Sequence, residues 1–290
     1  LAGSMYYKPT NIDEALELIS REQNATFFAG GTDLMVEYFE SLSQMGKIIN
    51  ISGIEELRGI TKKEDEIQIG PLTTHQEICD SEILLELVPW LCQAAEEVGS
   101  PQIRHRGTIG GNIANASPAA DTVPALIAAG ATVELTGVNG KRNFDLENIF
   151  TGPGETIIDD QELITNISLP IPDDTKAGSF MKIGKRKALS ISVLNGSVFL
   201  EIDREDMKFI DVRICLGSVA PVPYRARKAE EVIRGAEVTI ENIEKAGQAA
   251  SDEITPIDDV RGTAEYRKQV AKSAVIRLIK EATEQLEVGI

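Results

Sequence analysis

No run of eighteen or more apolar residues occurs in the 290-residue sequence, which rules out a membrane-spanning helix on length. No basic segment precedes an apolar stretch near the start, so no secretory leader is expected. Leu1-Ala2-Gly3-Ser4 reads instead as the remainder of a cleaved tag (1–4), with the native chain starting at Met5. Cysteine is confined to Cys79, Cys92 and Cys215, too widely spaced for a Cys-x-x-Cys motif, and histidine to His75 and His105. A zinc or iron–sulfur site built by this chain alone is therefore not expected, whereas a reduced, cytoplasmic setting is. Basic residues are in deficit, 29 against 46 acidic ones, for a net charge of −17. That balance argues against a nucleic-acid partner, which needs a concentrated basic face. Also missing are a Gly-x-Gly-x-x-Gly turn after a strand, a P-loop and a Gly-x-Ser-x-Gly elbow, so the usual dinucleotide, triphosphate and serine-hydrolase signatures are set aside.

What is present is a pair of glycine bends. Thr108-Ile109-Gly110-Gly111-Asn112 places two glycines beside a hydroxyl and an amide, a pattern that lets backbone N–H groups converge on an anion. Phe27-Phe28-Ala29-Gly30-Gly31-Thr32-Asp33-Leu34 repeats the idea after an apolar run and before a helical pattern. In so acidic a chain a diphosphate has to be held by aimed backbone dipoles, and valine at Gly110 or Gly111 is expected to remove the ligand without unfolding the protein. Asp33, a carboxylate beside the first bend, is expected to cap the following helix or bond the loop backbone. Arg104 and Arg106 lead into the second bend; Arg106 reads as solvated or paired with local acids, a reading left open for Arg104, and His105 reads as a surface histidine. Asp121 has two readings, a helix cap and an acceptor for a sugar hydroxyl.

At 290 residues two or three domains are expected. Helical spacing of Ile12, Ala15, Leu16 and Ile19 follows a Thr10-Asn11 cap. A strand over 25–29, a helix burying Leu34, Met35, Tyr38 and Phe39, and a strand over 47–51 make a βαβ-like unit. Alternation over 66–70 opens a second subdomain, continued by helices on either side of Pro89, with Trp90 as packing, a helix over 121–129, a strand over 131–135 turning at Asn139-Gly140, and a closing strand over 163–169. Beyond Pro170 and Pro172 the pattern becomes an antiparallel meander. Strands at 179–183, at Leu194, Gly196, Val198, Leu200 and Ile202, and at Ile210, Val212, Ile214 and Leu216 have one covered face, and helices from Ala226, Thr239 and Gly262 supply the cover. In the last helix Tyr266, Val270, Ala274, Leu278 and Ala282 form the core stripe.

Both bends, with Val98-Gly99-Ser100-Pro101-Gln102-Ile103-Arg104 leading into the second, resemble the FAD-binding subunit of the molybdenum hydroxylases, a family that includes the flavin subunits of xanthine, nicotinate and carbon monoxide dehydrogenases. The likeness runs from Met5 to the last helix. It implies an α+β fold: a two-lobed FAD-binding domain of the vanillyl-alcohol oxidase/PCMH type over 5–172, with subdomains of about 5–53 and 54–172, and a C-terminal domain over 173–290 of the CO dehydrogenase flavoprotein type. It also implies that Phe27, Phe28, Ala29, Gly30, Gly31, Thr32, Asp33 and Leu34, together with Gly99 and with Thr108, Ile109, Gly110, Gly111 and Asn112, hold FAD. Asp121 takes a ribose or ribityl hydroxyl, Ile164 lies against a ring system, and Lys182 lies near the isoalloxazine, its alternative being a strand-edge charge facing water. Lys185, Arg186, Lys187 and Ser190-Ile191-Ser192 fall on the approach to the flavin. The implied role is an electron-transfer subunit with no catalytic residue for the organic substrate. Electrons would arrive from a [2Fe–2S] small subunit, beside a molybdopterin-binding large subunit, and leave from FAD to NAD or another acceptor. A stand-alone flavin oxidase of the vanillyl-alcohol oxidase type and a non-catalytic nucleotide-binding scaffold remain as alternatives.

Overall fold

The computed structural model describes residues 6–40, 46–186 and 189–289. The expected start at Met5, the tag remnant 1–4 and Lys187 lie outside the described residues.

Among the described residues three larger sheets follow one another along the chain, with a small two-stranded one, Phe150–Gly152 and Glu155–Thr156, beside them. The first is parallel, with Tyr6–Tyr7 and Ala25–Phe28 flanking Lys47–Asn50. Its connections are the helices Ile12–Arg21 and Leu34–Glu40. Asn11 caps the former by accepting from the Glu14 N–H, and Ala15, Leu16, Leu18 and Ile19 bury its inner face. Leu34–Glu40 departs from expectation, because Phe39 is 64% exposed and lies outside any core stripe.

Next comes an antiparallel sheet in the order Ile60–Lys62, Glu66–Ile69, Leu163–Pro170, Thr132–Gly137, Gly140–Asp145. The sequence-adjacent strands pair as hairpins, and Leu163–Pro170 returns to the centre to close the lobe. Its covered face carries helices, each with a local reason to begin where it does. Thr74 and Glu77 form a reciprocal capping box on His75–Cys79, Ser81 caps Glu82–Leu87, and Pro89 opens Pro89–Glu96, where a missing N–H costs nothing.

The third sheet, Lys176–Ile183, Leu194–Asp203, Lys208–Gly217 and Tyr224–Arg225, is an antiparallel meander. One face packs under Arg227–Ile233, Ile240–Glu253 and Ala264–Gln285, giving a core around Val198, Leu200, Val212, Ile214, Val275 and Leu278. Two details of the expected pattern are corrected. The last helix buries Ala271, Val275 and Ile279 besides Ala274, Leu278 and Ala282, and Tyr266 is 46% exposed. Ile210 is also outside the core, because the pairing slips between Glu201 and Ile202 so that Phe209, not Ile210, faces inward.

The expectation of a single covered face is overturned as well. Phe180, Phe199 and Cys215 on the opposite face join the core of the second sheet. Trp90 packs against Phe199 with ring centroids 5.7 Å apart and planes tilted by 54°, and its ring leaves no room for a side chain at Gly178, where a Cβ would fall 2.4 Å away. Between the two sheets lies Thr122–Ala129, every residue of which is buried. The second and third sheets therefore share one apolar layer.

Candidate functional site

The two glycine bends meet. Gly30 lies so close to the second that a Cβ on it would stand 2.0 Å from the carbonyl oxygen of Arg106, and a Cβ on Gly107 would stand 3.4 Å from Thr32 Oγ1. Only residues without side chains allow backbones to approach this way. Gly31 has φ +76° and rests against the Phe28 ring. Around this crossing opens a cavity of about 670 Å³, within the usual range for cofactor pockets.

Phe27, Ala29, Gly30, Gly31, Thr32, Asp33, Leu34, Gly99, Thr108, Gly110, Gly111, Asn112, Asp121, Ile164 and Lys182 line that cavity. Two expected residues do not. Phe28 turns its ring onto Gly31, and Ile109 is fully buried. The loops also differ in what they offer. Among the described residues nothing accepts from the N–H groups of Gly30, Gly31, Thr32, Asp33 or Leu34. Asp33 is exposed and its carboxylate makes no described bond; its carbonyl oxygen, instead of its side chain, receives the Val36 and Glu37 N–H groups.

The second bend is not an open nest. It is the first turn of Ile109–Ala114, capped by Thr108. Ile109 N–H donates to Thr73 O at 3.0 Å, Gly110 N–H to Pro71 O at 2.9 Å, Gly111 N–H to Thr108 Oγ1 at 3.1 Å and Asn112 N–H to Thr108 O at 2.9 Å. The main-chain donors from Ile109 to Asn112 are spent on the protein, so this part of the segment contributes surface and the Asn112 side chain, whose Oδ1 accepts from Thr122 Oγ1. Gly110 is required by packing: a Cβ would fall 2.5 Å from Pro71 Cβ and 2.8 Å from its carbonyl oxygen. At Gly111 the nearest atom is a rotatable one, Thr108 Oγ1 at 2.9 Å.

Asp121 and Lys182 form one unit. Lys182 Nζ lies 2.6 Å from Asp121 Oδ2 and donates to the Glu97 carbonyl oxygen at 2.8 Å, and both side chains are at most 10% exposed. Ser192 Oγ and Asn195 Nδ2 donate to Asp121 Oδ1 at 2.7 and 2.8 Å. With both oxygens taken, the carboxylate makes no bond to the helix it precedes, so the capping reading is wrong. The reading of Lys182 as a strand-edge charge facing water is wrong too. Its cation enters the cavity wall already paired, which weakens the field it projects. This pair also fastens the third sheet to the segment before Thr122–Ala129.

Arg104 bonds the Glu96 carbonyl oxygen at 2.9 Å, closing a helix end, and His105 is exposed, its Nδ1 2.7 Å from Pro101 O. Sequence reasoning missed other cavity residues: His75, Ile51, Asn115, Ser117, Glu162 and Leu189. His75 had one usable signal, the Thr74–Glu77 capping box that fixes the start of its helix. The ring is 2% exposed, and burial, reinforced by the Arg104 guanidinium, pulls its pKa down to about 4. At neutral pH it is an uncharged imidazole.

Comparison with known proteins follows the same lines. Residues 2–172 match the family described as the FAD binding domain in molybdopterin dehydrogenase, and 179–282 match the CO dehydrogenase flavoprotein C-terminal domain. The nicotinate dehydrogenase FAD-subunit of Eubacterium barkeri is 32% identical, the alignment covering 98% of this chain and 97% of that protein. The carbon monoxide dehydrogenase medium chain of Hydrogenophaga pseudoflava is 30% identical, with 96% of each covered. A solved carbon monoxide dehydrogenase from Hydrogenophaga pseudoflava, lacking the Mo-pyranopterin moiety of its molybdenum cofactor, superposes with a TM-score of 0.92 at 30% identity over 97% of both chains. The chain belongs to the FAD-binding medium subunits of the molybdenum hydroxylase family and is an oxidoreductase subunit.

Proposed function

We propose that the cavity between the two glycine bends holds FAD and that the subunit relays electrons. In this reading they come from the iron–sulfur clusters of a small partner, pass through FAD and leave to NAD or another soluble acceptor. A molybdopterin-binding large subunit oxidises the organic substrate. The observation that carries the reading is the meeting of two bends some eighty positions apart on one cavity of about 670 Å³, one of them with five unpartnered N–H groups. FAD, when bound, accepts and returns electrons singly or in pairs.

The chain's residues fit that group in distinct ways. The N–H groups of Gly30, Gly31, Thr32, Asp33 and Leu34 neutralise the diphosphate. Gly99, Thr108, Gly110, Gly111 and Asn112 shape the wall, Ile164 supplies an apolar surface, and Phe27 and Ala29 border the first bend. The Asp121–Lys182 pair presents polar atoms to the cofactor without adding net charge. We further propose that the FAD-binding part spans 5–172 and the C-terminal part 173–290. A cytoplasmic location is proposed because Cys79, Cys92 and Cys215 are all free thiols. The stand-alone oxidase reading finds no support in the relatives, which match over nearly their whole length and are named as subunits or medium chains.

Anaerobic mixing of FAD-loaded protein with NADH tests the acceptor. Bleaching of the flavin absorbance is expected. An oxidised spectrum that persists with NADH, while dithionite bleaches it, removes NAD from the proposal and leaves FAD binding in place.

A further inference from the structure

His75 sits at the crossing of the two bends. Its backbone N–H donates to Gly107 O at 3.0 Å, and its ring Cδ2 lies 3.2 Å from where a Cβ on Gly107 would stand. The same Gly107 position faces Thr32 Oγ1 of the first bend, and the imidazole forms part of the cavity wall. Nδ1 is sealed from solvent with no partner among the described residues, an arrangement seldom tolerated. Nε2 likewise has no described partner, yet it is not among the sealed atoms, so it is the ring nitrogen that keeps accessible surface, on a residue that lines the cavity.

A neutral imidazole carries one N–H and one lone pair. Buried N–H groups without acceptors are rarer than under-used acceptors. The proton therefore belongs on Nε2, leaving the lone pair on the sealed Nδ1. We propose that His75 is a positioning residue for the cofactor, donating Nε2–H to a diphosphate oxygen held by the first bend. The proposal rests on the FAD reading above. It gives the cavity a side-chain donor beside the amides of Gly30–Leu34, in place of the donors that the second bend spends on Pro71, Thr73 and Thr108.

The test titrates the cofactor-free chain with FAD, following flavin fluorescence, for the wild type, His75→Gln and His75→Phe. Loss of one hydrogen bond to an anionic oxygen is expected to weaken FAD binding about tenfold or more in His75→Phe, and the side-chain amide of His75→Gln to recover most of it. Equal affinity in all three proteins overturns the role of His75 and leaves the FAD reading standing. A wild-type chain that takes up no FAD overturns both. Nitrogen-15 NMR of histidine-labelled wild type gives a readout independent of any substitution. The Nε2-protonated tautomer is expected, with its N–H signal moving on FAD addition, and an Nδ1-protonated ring or an unmoved signal contradicts the proposal.

Discussion

At the scale of single residues, charge and its pairing decide most of what the site can do. Asp121 and Lys182 stand in the sequence as one acceptor and one cation. The fold makes them a buried pair, supported by Ser192, Asn195 and the Glu97 carbonyl. Removing one member leaves an uncompensated buried charge, which costs about 3–5 kcal/mol. Lys182→Met and Asp121→Asn are each expected to lower stability in urea denaturation, while the double variant loses less than the sum. Strict additivity would mean that the pair carries no coupling. His75 adds a pH effect. Its folded pKa, about 4, lies below the ordinary value near ~6.5, so the folded state resists protonation. The associated stability is complete above pH ~6.5 and is lost as pH falls towards 4, by at most about 3 kcal/mol. His75→Phe is expected to flatten the stability profile in that window relative to wild type, and superimposable profiles would contradict the buried neutral ring.

At the scale of elements, local signals were legible and close approaches were not. The cap at Asn11, the break at Pro89 and the alternation of Glu66–Ile69 and Leu163–Pro170 can be read from residue type and spacing, because those features act over three or four positions. A glycine pair cannot announce which glycine faces a ligand and which faces protein. Both line the cavity, but a Cβ on Gly110 would run into Pro71 whereas one on Gly111 would meet only the rotatable Thr108 Oγ1, so the two are not equivalent. Gly110→Val is expected to destabilise the fold, with a lower Tm, whereas Gly111→Val keeps a near-native Tm and loses FAD. Equal behaviour of the two would overturn this division. The hydrogen bonds that occupy the second bend reach back to Pro71 and Thr73, more than thirty residues away, and no pattern within Thr108-Ile109-Gly110-Gly111-Asn112 discloses them. Ile210 was misread for a similar reason: a one-residue slip against Glu201 reverses the alternation.

At the scale of the whole molecule, the order of lobes was legible and their fusion was not. Asn195 and Ser197 alternate with Gly196 and Val198, and polar residues on one face of a strand normally signal solvent. Here they are buried, Asn195 bonding Asp121 and the Ala120 carbonyl, and Ser197 the Ser179 carbonyl. With Trp90, Phe199 and the wholly buried Thr122–Ala129, they make one layer between the second and third sheets. Calorimetry of the intact chain is therefore expected to give one transition for both parts. Two well-separated transitions would show that the shared layer does not couple them.

The proposed FAD site requires two distant glycine bends to meet. Flavin titration of the intact chain against Gly30→Ala tests it most directly, because a Cβ at that position would strike the Arg106 carbonyl and force the bends apart. One FAD per wild-type chain and little or none in the variant is expected. FAD held equally by both proteins, or by neither, would contradict it.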